Sequence, residues 1–233
     1  MKTDSLVYKG GTIDPNIQKA RIDTPLGPTI FGMQVPENIF QQLLKLADDV
    51  WERKDHISWN HELVGHMKYQ YYVPHSQLKD YGLFDFFIQC FYWYLITTSE
   101  WIKKKKEHIK IDLEAFWINY QEEGEYNPIH NHGQATMSGA IHIKEPEYER
   151  SEDRKSEKDG NLTIIRSSPI MEGLDHYSMD LKPTPRGMYI WPAPLLHLVN
   201  PFKGKGQRVS MAYNVVHYFT DNPENRHNSK EYE

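Results

Sequence analysis

The sequence predicts an α+β chain with a β-sandwich or β-barrel core. The first part of the chain repeats its apolar residues at helical spacing. After Ile109 the texture changes to short runs bounded by Gly, Pro or charged turns, the pattern of strands. With 233 residues the chain can bury a sizeable core without staples. Helices first and strands afterwards is the order of an α+β protein.

Residues 1–35 are rich in Gly, Pro and Thr and read as an irregular arm that runs into a strand near PTIFGMQV. The segment PENIFQQLLKLADDVWERKD follows. Pro36 suits a first helical turn, and Ile39, Leu43, Leu46 and Val50 recur at helical spacing. Residues 55–78 are aromatic and polar without a period and read as loop. A longer helix is predicted from Gln77 or Leu83 to Glu107, with a broad apolar face that should be well buried. Cys90 lies inside it and reads as an inert buried thiol. Lys103–Lys106 form its solvated end. Six strands are predicted next: AFWINYQ, SGAIHIKE, NLTIIRS, HYSMDLK, GMYIWPA and RVSMAYNVVHYF. The charged stretch from Glu145 to Gly160 reads as a solvated loop, a lid or an insertion, and the tail 221–233 as frayed. There is no internal repeat. The expected organisation is one domain over 1–233, with an arm and supporting helices to 110, a β core over 111–220, and the tail.

The net charge of −5 argues against a nucleic-acid partner, because phosphates call for concentrated Lys and Arg. One cysteine allows no intrachain disulfide and fits a reducing compartment. MKTDSLVYKGG carries no apolar run of the signal-peptide kind. The most apolar stretch, LFDFFIQCFYWYLITTSEWI, is broken by Asp85, Gln89 and Glu100 and reads as a buried helix, so no membrane span is expected.

The chemistry begins at YNPIHNHGQATMSG. In an extended strand, residues two apart point the same way, so His130 and His132 would present two imidazoles side by side. Imidazole is a good ligand for iron, zinc and copper. His197, between Leu196 and Leu198, offers a third ring or a core histidine satisfied by backbone. The strand from Arg208 alternates. Arg208, Ser210, Ala212 and Asn214 share one face, and Val209, Met211, Tyr213 and Val215 the other. A polar series of that length needs solvent or a ligand. Arginine grips a carboxylate through two hydrogen bonds, and a serine two residues on can add a hydroxyl. Trp117, Trp191 and Tyr213 read as core, and His176 and His217 as background.

In order, the chain reads Trp117-x-Asn119, Gly124-x-x-Asn127, His130-x-His132, Ser138-Gly139, Gly187 through Pro192, His197, Arg208-x-Ser210 and Asn214. This set resembles the iron(II)/2-oxoglutarate-dependent oxygenase superfamily. Within its prolyl-hydroxylase-like branch it most resembles the 2OG-Fe(II) oxygenase family common in bacteriophages and marine bacteria. The resemblance covers about Phe116 to Asn214. It implies a double-stranded β-helix, the jelly roll of cupin-like proteins, buttressed by the N-terminal helices. It implies Fe(II) held by His130, His132 and His197, with O2 and the co-substrate 2-oxoglutarate. Arg208 and Ser210 would hold the distal carboxylate, with His142, Asn119 and Asn214 as further cofactor contacts. The implied reaction hydroxylates a small-molecule, amino-acid or peptide substrate with release of succinate and CO2, in a bacterial or phage-infected cytoplasm.

Two positions depart from the superfamily pattern. Residue 132 is His where most members have Asp or Glu, so three neutral ligands would leave the iron's full double charge to attract a dianion. Three histidines also suit zinc or copper. Glu122, Glu123 and Glu125 are the carboxylates close in sequence, and none has matching spacing. Residue 142 is His where the branch has a tyrosine that reaches the distal carboxylate, and it could donate there or serve packing. Two other readings stay open: a three-histidine cupin dioxygenase that takes no 2-oxoglutarate, and a non-catalytic jelly roll in a phage-like assembly.

Overall fold

The computed structural model describes residues 6–7, 13–23, 28–53, 56–149, 158–165 and 178–220. In chain order they form β1 (Leu6–Val7), α1 (Pro15–Gln18), β2 (Arg21–Asp23), β3 (Ile30–Gln34), α2 (Glu37–Glu52), β4 (Ile57–Ser58), β5 (Gln70–Tyr72), α3 (His75–Asp80), α4 (Phe84–Thr98) and α5 (Glu100–Lys104). There follow β6 (Ile109–Gln121), β7 (Asn127–His130), β8 (Met137–Lys144), β9 (Glu147–Tyr148), β10 (Leu162–Ile165), β11 (Ser178–Leu181), β12 (Gly187–Pro192), β13 (Leu196–Val199), β14 (Gly204–Lys205) and β15 (Arg208–Phe219).

A nine-stranded sheet runs β2-β3-β12-β8-β15-β6-β5-β4, with β1 also on β6. A four-stranded sheet runs β11-β10-β13-β7, and β9 pairs with β14. Every pairing among the described residues is antiparallel. The two larger sheets make the jelly roll, and the helices cover the outer face of the larger one.

Period two on the long strands assigns the two faces. Phe116, Ile118 and Tyr120 of β6 join Met211, Tyr213 and Val215 of β15 in the core beneath the helices. The opposite face carries Asn119, Gln121, Arg208 and Ser210, all buried. Ala140 and Trp191 on that side pack with Leu162, Ile164 and Val199 of the second sheet. The polar face of β15 therefore lies inside the sandwich and not in solvent. Helix α2 buries Phe40, Leu43, Leu46, Ala47 and Val50 against the sheet. Tyr120 ties it down by donating its hydroxyl to the Ala47 carbonyl at 2.6 Å. Phe87 and Phe91 of α4 set their rings edge-on against Tyr213, at 5.6 and 5.3 Å. Cys90 is buried in the same helix, and burial holds its thiol well above the usual range.

Four expectations are corrected. The helix predicted from Gln77 or Leu83 to Glu107 is three helices. Gly82 takes a positive φ of 66° after α3, and Ser99 is extended at φ −150°, ψ 125°, where its side chain accepts from the Ile102 amide as the N-cap of α5. The segment 55–78 is not all loop: among its described residues β4 and β5 are strands and α3 begins at His75, with β5 paired to β6 at Tyr71 and Ile118, and a three-residue strand is too short to show a period. The arm is not all irregular: β1 pairs with β6, β2 pairs with β3, and α1 forms a short helix capped by Asp14. Strand β6 begins at Ile109 and not at Ala115, and His197 sits in a strand, β13, with no alternation long enough to reveal it. The charged stretch is described only over 145–149 and 158–160, where Glu147–Tyr148 forms β9. Residues 150–157, the strand ends over 166–177 with His176, and the tail 221–233 lie outside the described residues. Among the described residues, no helix is long and apolar enough to cross a membrane.

Gly139 of β8 packs closely against both its neighbouring strand and the helix-side core. A Cβ there would lie 2.2 Å from the Tyr189 carbonyl and 2.4 Å from the Tyr213 ring. That ring is held by its hydroxyl, which donates to the same carbonyl at 2.7 Å. Gly139→Ala is therefore expected to cost about 1–3 kcal/mol, read from urea midpoints. An unchanged midpoint would mean that the strand yields freely.

Candidate metal centre and anion pocket

His130 ends β7 and His197 lies in β13, and the two are direct partners across the second sheet. Their ring centroids are 4.3 Å apart. His132 follows two residues on, where its backbone amide donates to the Ala193 carbonyl at 3.0 Å. That anchor brings its Nε2 to 3.2 Å from Nε2 of His197. One nitrogen from each of the three rings lies within 4.8 Å of the others. Two ligands at right angles on bonds of about 2.1 Å stand about 3 Å apart, so the 3.2 Å pair suits neighbouring positions on one ion.

Two of the rings have their tautomer set by backbone. Nδ1 of His130 lies 2.7 Å from the Pro128 carbonyl, and Nδ1 of His197 lies 2.9 Å from that of Leu195. A carbonyl only accepts, so each Nδ1 carries the proton and each Nε2 presents a lone pair. Burial, reinforced by the facing imidazoles, pushes His197 down to about 3 and His132 down to about 4. Burial lowers His130 as well. All three rings are thus neutral near pH 7, the form that binds metal. Trp191 stands edge-on to His197 at 5.1 Å, and Trp117 lies 6.0 Å from His132. Both tryptophans are buried, as expected of core residues, and both also line the cavity beside the histidines. Tyr213 lies in the helix-side core.

The cavity has about 470 Å³ of space, counting its open mouth, and runs from the histidines to Arg208 and Ser210. The strand register builds its far end. Arg208 lies opposite Gln121, and Ser210 lies between Asn119 on β6 and His142 on β8. The Arg208 side chain is 2% exposed. Its Nη1 donates to Gln121 Oε1 and to Ser210 Oγ, both at 3.3 Å, and its Nη2 to His142 Nδ1 at 3.1 Å. Its Nε has no partner. Among the described residues, no carboxylate lies within ion-pair distance of it. Burial pushes the guanidinium down to about 10, with Tyr148 and Glu145 opposing from further away. An unpaired buried cation is costly, and a bound anion would supply what is missing.

Asn119 lines the cavity, 4% exposed, with its Oδ1 unpartnered. His142 is buried beside Arg208 and is not among the lining residues. Asn214 accepts from Ser138 Oγ at 2.9 Å, and of the two Ser138 lines the cavity. The nearby glutamates have other partners: Glu122 pairs with Lys68, Glu123 accepts from the Gly204 amide, and Glu125 accepts from the amides of Lys68 and Glu122. Two residues of the site, Gln121 and Met67, went unread in the sequence. Gln121 touches Arg208, and its signal is its place two residues after Asn119, on the same face of the strand. Met67 lines the cavity and comes from the segment read as loop, and Asn127, which the ordered motif set included without a role, lines it too. The donor set suits a divalent cation at one end, and the unpaired guanidinium suits a carboxylate at the other.

No curated protein matches the chain in sequence. Among solved structures, AviO1 from Streptomyces viridochromogenes Tue57 superposes with a TM-score of 0.54 at 9% identity, over 89% of this chain and 96% of that one. The non-heme alpha ketoglutarate dependent carbocyclase SnoK from nogalamycin biosynthesis gives 0.51 at 8% identity, over 87% and 85%. The epimerase SnoN of the same biosynthesis, also non-heme and alpha ketoglutarate dependent, gives 0.50 at 9% identity, over 82% and 80%. At such identities the likeness establishes the fold alone. Residues 115–214, which hold the three histidines and Arg208, match the family described as "Putative 2OG-Fe(II) oxygenase". Over that stretch the chain is similar to the 2OG-Fe(II) oxygenases, and the three-histidine group lies within it.

Proposed function

We propose that His130, His132 and His197 hold the iron(II) ion, that Arg208 and Ser210 hold the distal carboxylate of 2-oxoglutarate, and that the enzyme hydroxylates an amino acid or a peptide side chain. The observation that carries this reading is Arg208, a buried cation whose partners within the described residues are all neutral. When bound, iron(II) and 2-oxoglutarate activate O2, so that one oxygen atom enters succinate as CO2 leaves and the other enters a C–H bond of the substrate.

The chain's own residues bind, orient and shield. The carbonyls of Pro128 and Leu195 keep the lone pairs of His130 and His197 toward the ion. Three neutral imidazoles leave its charge undiminished, which favours a dianionic co-substrate. Trp117 and Trp191 exclude water from the ligands. Asn119, whose Oδ1 has no partner, lines the space that the bound molecules would occupy, and Asn214 accepts from Ser138. The assignment takes 1–233 as one oxygenase domain, with the helices and arm supporting the β core. The single buried Cys90 fits a reducing cytoplasm.

A three-histidine dioxygenase without 2-oxoglutarate is the second reading, favoured by a histidine group that includes no carboxylate among the described residues. An anaerobic titration separates the two. Iron(II) followed by 2-oxoglutarate should produce a weak visible charge-transfer band, absent in Arg208→Ala and in His197→Ala. Losing charge-assisted hydrogen bonds worth about 1.5–3 kcal/mol should weaken 2-oxoglutarate binding in Arg208→Ala about 10- to 100-fold. Bound iron without the band would promote the second reading, and a protein that binds no metal would leave a structural jelly roll.

Metal binding also has a stability signature. Manganese(II) at 100 times its dissociation constant should stabilise the wild type by about 2.7 kcal/mol, reversed by a chelator. His197→Ala should show no such rise in melting temperature. An equal rise in both proteins would place the metal elsewhere.

A further inference from the structure

We infer that His142 and Gln121 are positioning residues whose neutrality is their function: they orient Arg208 through uncharged acceptors and so reserve its charge for the co-substrate. This rests on the assignment of Arg208 to 2-oxoglutarate.

Two strands flanking β15 supply the cradle. Gln121 spends both amide hydrogens on backbone, donating to the carbonyls of Glu125 at 2.6 Å and Asn200 at 3.2 Å. A flipped amide would set its oxygen against two carbonyl oxygens, so Oε1 is held facing Arg208. Asn200 in turn donates to the Asn161 carbonyl at 3.2 Å and to Thr163 Oγ1 at 2.9 Å. The guanidinium is thereby tied across the sandwich to the second sheet.

His142 holds the other side. An arginine N–H only donates, so His142 Nδ1 accepts, and the ring proton sits on Nε2, which is buried without a partner. Burial and the adjacent guanidinium both hold the ring well below the usual histidine range, hence neutral. Because His142 is not among the cavity-lining residues, it acts through Arg208. A carboxylate at either position would pair with Arg208 permanently and compete with the ligand for it.

The test compares His142→Gln with His142→Glu, which are nearly equal in size and differ in charge. Three quantities are measured: 2-oxoglutarate affinity from the iron(II) charge-transfer band, manganese(II) affinity, and the melting temperature of the metal-free protein. The Gln variant is expected to bind 2-oxoglutarate within about threefold of wild type, because it keeps a neutral acceptor. The Glu variant should lose about 100-fold or more, while melting no lower than the Gln variant and binding manganese(II) as tightly. A packing role would move both variants alike. Equal losses in the two, or a Glu variant that binds like wild type, would overturn the inference. If His142→Glu fails to fold, Gln121→Glu against Gln121→Met makes the same comparison from β6, with the Glu variant expected to bind 2-oxoglutarate more weakly and the reverse order overturning the inference. A wild type that shows no band at all would overturn the assignment of Arg208 to 2-oxoglutarate, and this inference with it.

Discussion

A full positive charge buried between two sheets is the constraint on which the rest of the site depends. Arg208 is 2% exposed, and its contacts are an amide oxygen, a hydroxyl and a ring nitrogen. Neutral acceptors fix direction but leave most of the desolvation cost in place. A fold that keeps such a group shapes its surroundings for an anion. The histidine cluster adds the complementary element: three neutral imidazoles at the other end of the same cavity, arranged to hold a cation.

The antiparallel sheets place these two ends with little freedom. β15 lies between β6 and β8, so each residue on its inner face has a fixed neighbour on both sides. Arg208 meets Gln121, Ser210 meets Asn119 and His142, and Ala212 meets Trp117 and Ala140. A one-residue slip would turn the whole polar set toward the helices and the apolar set into the cavity. The aromatic packing of Tyr213 against Phe87, Phe91 and Phe116 opposes that slip, because these rings occupy the other face. The helices thus contribute to the site indirectly, by keeping the register of the strands that carry it.

The histidines come from the second sheet and its connection. His130 and His197 face each other as strand partners, and His132 is drawn in by one backbone hydrogen bond to Ala193. The pocket therefore spans both layers: the histidines from one sheet, Arg208 and Ser210 from the other, and tryptophans from β6 and β12 between them. The buried amide network from Gln121 through Asn200 to Thr163 joins the layers at the clamp end.

Much of this was legible in the chain. The alternation from Arg208 to Val215 assigned each residue to its face, and the ordered set from Trp117 to Asn214 carried the resemblance to the 2OG-Fe(II) oxygenases, because period two and motif spacing are local properties. The long helices, Cys90 in the core and the His-x-His pair were legible for the same reason. The short elements were not. β5 and the N-terminal strands are strands because a longer neighbour offers them hydrogen bonds, β13 because it is paired on both sides, and two to four residues carry no period of their own. The break at Ser99 hid inside a continuous apolar face. Gln121 went unread because its meaning depends on Arg208, far away in sequence and directly opposite in the sheet. The sequence alone determined which residues could ligate a metal or grip a carboxylate, since those are properties of side-chain chemistry. Only the tertiary structure decided that they share one cavity, that Arg208 lacks a carboxylate partner among the described residues, and that His142 stands beside Arg208 outside the cavity lining, because contact and burial are set by strand pairing across the whole chain.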